Sequence, residues 1–478
     1  MTVASTTLNI LSTNDLHSAL EQWPKVTGVL KRKRTEAEQA GEEVLLFDIG
    51  DHSDRVHPVT EALKGKANTH LLNEMTYDGV TIGNNEGITF SKEDLNTLYD
   101  DAVFPVILCN LFHLDGSRPV WASPSVVKTM DSGVKIGVTG ATVPFRQFYE
   151  PLGWSVTDPV TSLKEETDKL KETCDFIICL SHLGYSEDEY LAAHNPDIDL
   201  ILGSHTHHVL KEGIEIDGTW INQSGKGGSY IGEAKIMISS SNGASPELSV
   251  ESVKSLSVME EPEDSDTAKS VELLKKRADR LLEEPVTVLK SKLDVDWFKP
   301  SPFANLLAHT VKEWCEADVS MVNAGVLLHS IGPGVVTKGD LHDLCPHPIN
   351  PVIVAISGDQ LLETIRQARS DEMTHFQLKG FGFRGKVLGH MAFDGLEIKG
   401  AGSYISDQHV RIEGVPIERR RIYSLATLDM FTLGRLYPPV SSTLKKTYFM
   451  PEFLRDLLTW KLAQVNGKHT MNGSSSGM

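Results

Sequence analysis

Apolar residues in the first half of the chain gather in short runs, at 8–11, 44–49, 80–82, 176–180 and 198–202, each about the length of a buried strand. Each run closes on a segment rich in oxygen or imidazole groups: Asp15-Leu16-His17, Gly50-Asp51, Gly83-Asn84-Asn85-Glu86, Ser181-His182 and Gly203-Ser204-His205-Thr206-His207. If these strands pair in one sheet, their ends share one rim. A different rhythm, Val271, Leu274, Ala278 and Leu281, predicts an amphipathic helix, capped by Ser265 or Asp266 and stopped before Pro285. The acidic stretch 259–266 ahead of it reads as a link between two domains.

The residues on that rim suit a pair of metal ions. Asp and His are ligands that zinc, manganese and iron accept, and an Asn carbonyl adds a neutral donor. Two such cations joined by a carboxylate clamp a phosphoryl group and ionise a water near neutral pH, and the lone Asp51 suits that bridge. His205 and His207 alternate at strand spacing, which places both on one side of an extended segment. Any single piece is commonplace, since a buried His is more often a core residue than a ligand and Gly-Asp is common at turns. The signal lies in all five pieces, in order, over about 200 residues.

Residues 8–240 resemble the calcineurin-like metallophosphoesterase domain of the 5'-nucleotidase family, and residues 290–460 resemble its C-terminal substrate domain. The resemblance, to the type that combines 5'-nucleotidase and 2',3'-cyclic phosphodiesterase activity, implies an α/β chain. Residues 1–255 form a four-layer αββα metallophosphoesterase domain, 256–289 a linker and helix, 290–466 an α/β substrate domain, and 467–478 a disordered tail. It further implies two divalent ions, Mn, Zn or Fe, with Asp15, His17 and His207 on one, Asn84, His182 and His205 on the other, and Asp51 between them. The stretches 135–140 and 223–228 are also family-like; the second lacks the spacing of a phosphate loop and reads as a turn.

One departure concerns catalysis. The family motif Gly-Asn-His-Glu, with an Asp two residues later, is here Gly83-Asn84-Asn85-Glu86-Gly87-Ile88. That His is thought to stabilise the transition state or protonate the leaving group, which is worth typically about 10²–10⁴-fold. Asn85 donates a hydrogen bond but delivers no proton. Three readings compete: preference for better leaving groups, such as anhydrides; replacement of the acid by His52 or His208; or a nucleotide sensor that no longer catalyses. At both histidines the bland alternative is a solvated loop residue.

The second domain departs as well. Asn323 stands in a family-like Asn-Ala-Gly segment, but Val326, Leu327 and Leu328 occupy the place of an expected arginine. Arg435 replaces the Asp that the family places on ribose, which favours an extra phosphate or carboxylate. Phe381 or Phe383, together with Phe431, are the candidates to sandwich a nucleobase, each otherwise a core residue. The proline-rich loop 345–351 offers His347 and Asn350 as held polar groups.

Composition narrows the partners. A chain of 478 residues fits two cores, and its net charge of −19 repels nucleic acid polymers and anionic membranes. A small phosphorylated substrate, first of all a nucleotide, remains accessible because bound metals supply a local positive field. No leader or spanning segment is apparent, and five cysteines read as reduced thiols, so a cytoplasmic protein is expected. The expected function is a dimetal phosphohydrolase acting on nucleotides. The alternatives are cyclic phosphodiesters, nucleotide anhydrides or sulfur esters, with a nucleotide-binding sensor as the rival class.

Overall fold

Period-two alternation along the apolar runs sorts their side chains between two faces, and this layers the first part of the chain. The computed structural model describes residues 4–240, 246–400 and 405–467, and divides into the units Met1–Ala278 and Asp279–Met478. In the first unit a seven-stranded sheet runs Glu247–Ser257, Tyr230–Ser240, Ala4–Thr13, Glu43–Asp48, Gly79–Val80, Val106–Ile107, Ala122–Ser123. A six-stranded sheet runs Ile214–Ile216, Thr219–Gln223, Leu200–Gly203, Phe176–His182, Lys135–Thr142, Ser125–Thr129.

The two sheets pack face to face. Leu8, Ile10, Phe47 and Ile236 of the first meet Ile136, Val138, Ile178 and Leu180 of the second in one buried cluster. The far side of the second sheet, through Cys179, Ile201 and Ile221, buries Leu163 of helix Pro159–Leu170 and Leu191 of helix Tyr185–His194. Helix Trp23–Ala40 lies against strand Glu43–Asp48 and buries Val26, Val29 and Leu30. These are the four αββα layers. The ligand-bearing strands are therefore divided between two sheets and do not share one: Ala4–Thr13, Glu43–Asp48 and Gly79–Val80 are parallel neighbours in the first, Phe176–His182 and Leu200–Gly203 in the second.

The acidic stretch ahead of helix Ser265–Leu282 is fastened down. Lys31 pairs with Asp264 at 2.8 Å and Arg32 with Glu261 at 2.9 Å; the next two basic residues bind elsewhere, Lys33 to Glu233 at 2.8 Å and Arg34 to the carbonyls of Met75 and Thr76. Gly28 leaves room for this crossing, since a Cβ there would sit 2.6 Å from the Pro262 carbonyl oxygen. The helix is capped by Asp264, whose Oδ1 accepts from Thr267 N at 2.8 Å, and not by Ser265 or Asp266. Leu274 and Ala278 are buried as the pattern predicts, whereas Leu281 is exposed.

The second unit is built on a five-stranded sheet in the order Met391–Asp394, Val319–Asn323, Ile422–Leu428, Pro351–Ser357, Lys446–Tyr448. Helix Pro302–Cys315 packs Phe303, Leu307 and Val311 against Val319 and Met321, and Leu457 of helix Leu454–Gly467 joins the same core. The tail expected to be disordered lies, beyond Gly467, outside the described residues. No helix among them is long and apolar enough to cross a membrane, and all five cysteines are free thiols.

Candidate metal centre

The loops after the parallel strands bend sharply to aim their side chains at one point. Asp15, His17, Asp51, His205 and His207 all hold the left-handed backbone region, with φ of +47°, +48°, +51°, +73° and +58°, an arrangement that persists only where the surroundings enforce it. His205 and His207 thus lie on a turn beyond strand Leu200–Gly203, and the extended segment expected for them is replaced by that turn. The enforcement is visible: Asp15 N donates to Gly50 O, His17 N to Asp51 O, and Gly227 N to Asp15 O. The last bond comes from the 223–228 turn, where Gly225, Gly227 and Gly228 also have positive φ.

Two ligand groups result. Single ligand atoms of Asp15, His17 and His207 lie within 4.8 Å of one another, as do those of Asp15, Asp51 and His182. Asp51 reaches both, with Oδ1 3.5 Å from His182 Nε2 and Oδ2 3.7 Å from His17 Nε2. His17 and His207 bring their Nε2 atoms to 3.1 Å, and the His205 ring packs on His182 at 5.3 Å. Gly83 opens the space, because a Cβ there would lie 2.0 Å from Asp51 Oδ1.

The residues fit divalent cations. Asp15 Oδ1, Asn84 Oδ1 and His182 Nε2 are buried with no hydrogen-bond partner, as expected of atoms whose partner is a metal. The other ring nitrogens are occupied: His182 Nδ1 donates to the Ile49 carbonyl at 2.7 Å, and His17 Nδ1 to Asp54 Oδ2 at 3.2 Å, which turns each Nε2 lone pair inward. Burial presses both imidazoles toward the neutral form. The Asp54 hydrogen bond, followed by the Asp51 charge, overcomes it at His17 and lifts that ring to about 9, and Asp51 does the same at His182, to about 10. A divalent cation held by these atoms would take the place of those protons.

Asn85 and the two candidate histidines part company. Asn85 Nδ2 donates to Asp51 Oδ2 at 2.7 Å and touches His17 Nδ1 at 3.2 Å, so it sits against the ligands themselves. His52 is neither an acid at the rim nor a solvated loop residue. It is 2% exposed, its ring stands edge-on to Trp23 at 4.9 Å, and burial drives its pKa down to about 3. His208 is exposed, held by Thr206 Oγ1 at 2.9 Å and lying on Tyr185.

Several supporting residues escape the sequence reading. Glu86 accepts from the backbone N–H groups of Asp51, Ser53 and Gly83 at 2.9, 2.7 and 3.0 Å, and Asp188 takes Ser181 Oγ and Gln223 Nε2. The one available signal for Glu86 was its place in the motif.

In the second unit most of the expected substrate contacts are core residues. Phe383 and Phe431 are 4% and 0% exposed; the first stacks on His347 and the second stands edge-on to Tyr437, so neither ring is free for a base. His347 donates from Nε2 to Val326 O and accepts at Nδ1 from Arg384 N, while Asn350 Nδ2 donates to Glu452 O; both brace the loop from inside. Asn323 donates to Leu388 O and keeps a buried, unpartnered Oδ1. Phe381, 47% exposed beside Gly434, and exposed Arg435 remain open to a ligand.

A family model described as calcineurin-like phosphoesterase matches residues 8–209, and one described as 5'-nucleotidase, C-terminal domain, matches residues 284–435. The Bacillus subtilis (strain 168) protein called uncharacterized metallophosphoesterase YunD is 46% identical over 460 residues, 96% of this chain and 99% of that one. Bos taurus 5'-nucleotidase is 29% identical over 43% of this chain and 39% of its own length. Among solved structures, the Haemophilus influenzae NAD nucleotidase (NadN) superposes with a TM-score of 0.66 at 17% identity, over 96% of this chain and 97% of that one, which is a likeness of fold. With the two family models in succession and a relative matched from end to end, the chain belongs to the 5'-nucleotidase family of metallophosphoesterases and is a phosphoric ester hydrolase.

Proposed function

We propose that this hydrolase acts on nucleotides and favours those whose leaving group departs without a proton, such as the anhydride of a nucleoside diphosphate. The observation that carries the preference is the placement of Asn85. Its amide is directed at Asp51 and His17, and an amide orients a partner but transfers no proton. His52 is turned into the core and does not stand in as the acid, while His208 lies exposed against Thr206 and Tyr185.

Asp15, His17 and His207 would hold one divalent ion, Asn84, His182 and His205 the other, and Asp51 would join them. Such a pair ionises a water and takes up charge developing on the phosphoryl oxygens. The chain's own contribution is orientation: Glu86, Asp54 and the Ile49 carbonyl hold the ligands in place, and Asn85 fixes Asp51. In the second unit, matched by the 5'-nucleotidase C-terminal model, Phe381 offers a face for a base and Arg435 a charge for a further phosphate.

Phosphate release from nucleoside mono-, di- and cyclic phosphates, and from aryl phosphates of graded leaving-group acidity, tests this with manganese, zinc or chelator. Anhydrides and acidic phenols should exceed nucleoside monophosphates by at least about 10²-fold, and Asn85→His should narrow the gap. Asp51→Ala should abolish release from all of them. Monophosphates turned over as fast as anhydrides would sink the preference, and retained nucleotide binding with no release from any substrate would favour a binding protein.

A further inference from the structure

We infer that one internal water molecule sits behind the metal-binding loops, hydrogen-bonded to the Nε2–H of His52. The protonation of that ring follows from its neighbour. Asn68 Nδ2 lies 3.0 Å from the His52 carbonyl oxygen, which only accepts, so this atom is the amide nitrogen and not a flipped oxygen. The same nitrogen lies 3.1 Å from His52 Nδ1 and 3.2 Å from Ser18 Oγ; an amide nitrogen accepts no hydrogen bond, so a proton on Nδ1 would face a donor, while Thr60 Oγ1 donates to Asn68 Oδ1 at 3.0 Å. The imidazole proton is on Nε2.

That N–H is buried and has no partner in the protein. Its ring plane is fixed by Trp23 on one side and Asn68 on the other, so it cannot turn away to find one. A buried donor left unpaired is costly, and the neighbouring space supplies the remedy. His52 lines a small cavity of about 10 Å³ with Asp48, Thr81, Glu86 and Tyr99. This is room for one water and no more. Thr81 Oγ1, in a residue 2% exposed, is a second unpartnered polar atom on the same wall.

A water here accepts from His52 Nε2–H and donates to Thr81 Oγ1 and to a carboxylate oxygen of Asp48 or Glu86, the two to four partners an internal water requires. A cation would face the positive end of the His52 N–H, and an apolar filler would leave both orphan atoms unpaired. The site touches Glu86, the carboxylate that gathers the N–H groups of Asp51, Ser53 and Gly83. It stands whatever the substrate of the enzyme proves to be.

Two measurements on the native full-length chain test it. A high-resolution crystal structure should show one ordered water about 3 Å from both His52 Nε2 and Thr81 Oγ1. Nitrogen-15 NMR should report the Nε2–H tautomer of His52. Thr81→Val, which removes one partner at nearly constant volume, should abolish the ordered water and lower the melting temperature by about 2–4 °C. A dry cavity in the native crystal, or a proton on Nδ1, overturns the inference; because both readings use the native chain, they do not depend on the variant folding.

Discussion

Gly83 has no side chain because the ligands fill its place: a Cβ would meet Asp51 Oδ1 at 2.0 Å and His182 Cε1 at 2.5 Å. Gly83→Ala should therefore leave the sheets folded but drive Asp51 off its position, and elemental analysis of the purified variant should find the metal content largely lost. His347 shapes stability instead. Burial lowers its pKa to about 3, so the folded chain refuses a proton that the unfolded chain accepts near 6.5. Its contribution is intact above about pH 6.5 and declines as pH falls through that value toward 3, by on the order of 5 kcal/mol in total. Urea denaturation at pH 7 and pH 4 should show a smaller acid-side loss in His347→Asn than in the native chain. The ligands were legible because each closes an apolar run. Their supports were not, since His17 meets Asp54 across 37 positions and His52 meets Asn68 across 16, with no local pattern to announce either.

Among the elements, helix Ser265–Leu282 depends on its entry. Asp264 both caps it and pairs with Lys31, whose side chain is 43% exposed. Asp264→Ala should lower stability by about 1 kcal/mol, nearly all of it from the lost cap because the exposed ion pair adds little; the urea midpoint reads this directly. The periodicity located this helix, yet the cap is the residue before Ser265, since Ser265 and Asp266 are equally good caps by type and the bonds of Asp264 to Lys31 and to the Pro24 carbonyl fix it where the turn begins. The strands were legible as runs of buried residues. Their division between two sheets was not, for a run buried on both faces reads alike whether its neighbour lies beside it or across from it. The phenylalanines show the same limit in the second unit: Phe381 and Phe383 are two residues apart, yet one is exposed and the other is core.

At the scale of the whole chain, all the candidate ligands belong to the unit Met1–Ala278. A ligand that binds only the folded form stabilises it by about 2.7 kcal/mol at a hundred times its dissociation constant. Chelation should therefore reduce hydrogen-exchange protection at amides of residues 4–278, above all in the loops that carry Asp15, Asp51 and Asn84, and readdition of manganese or zinc should restore it. The net charge of −19 said nothing of this centre, because charge summed over a chain does not report where two carboxylates meet three imidazoles. Residues 31–34 are all basic, Lys31, Arg32, Lys33 and Arg34. Trypsin cuts after lysine and arginine, and four such residues in a row would be its first target in an unfolded chain. Here all four belong to helix Trp23–Ala40 and are tied to Asp264, Glu261, Glu233 and the carbonyls of Met75 and Thr76. The helix must unwind before the bond can enter a protease cleft, so this richest cleavage motif of the chain becomes a late one, and the moment it is cut reports that the helix has already come loose from what holds it.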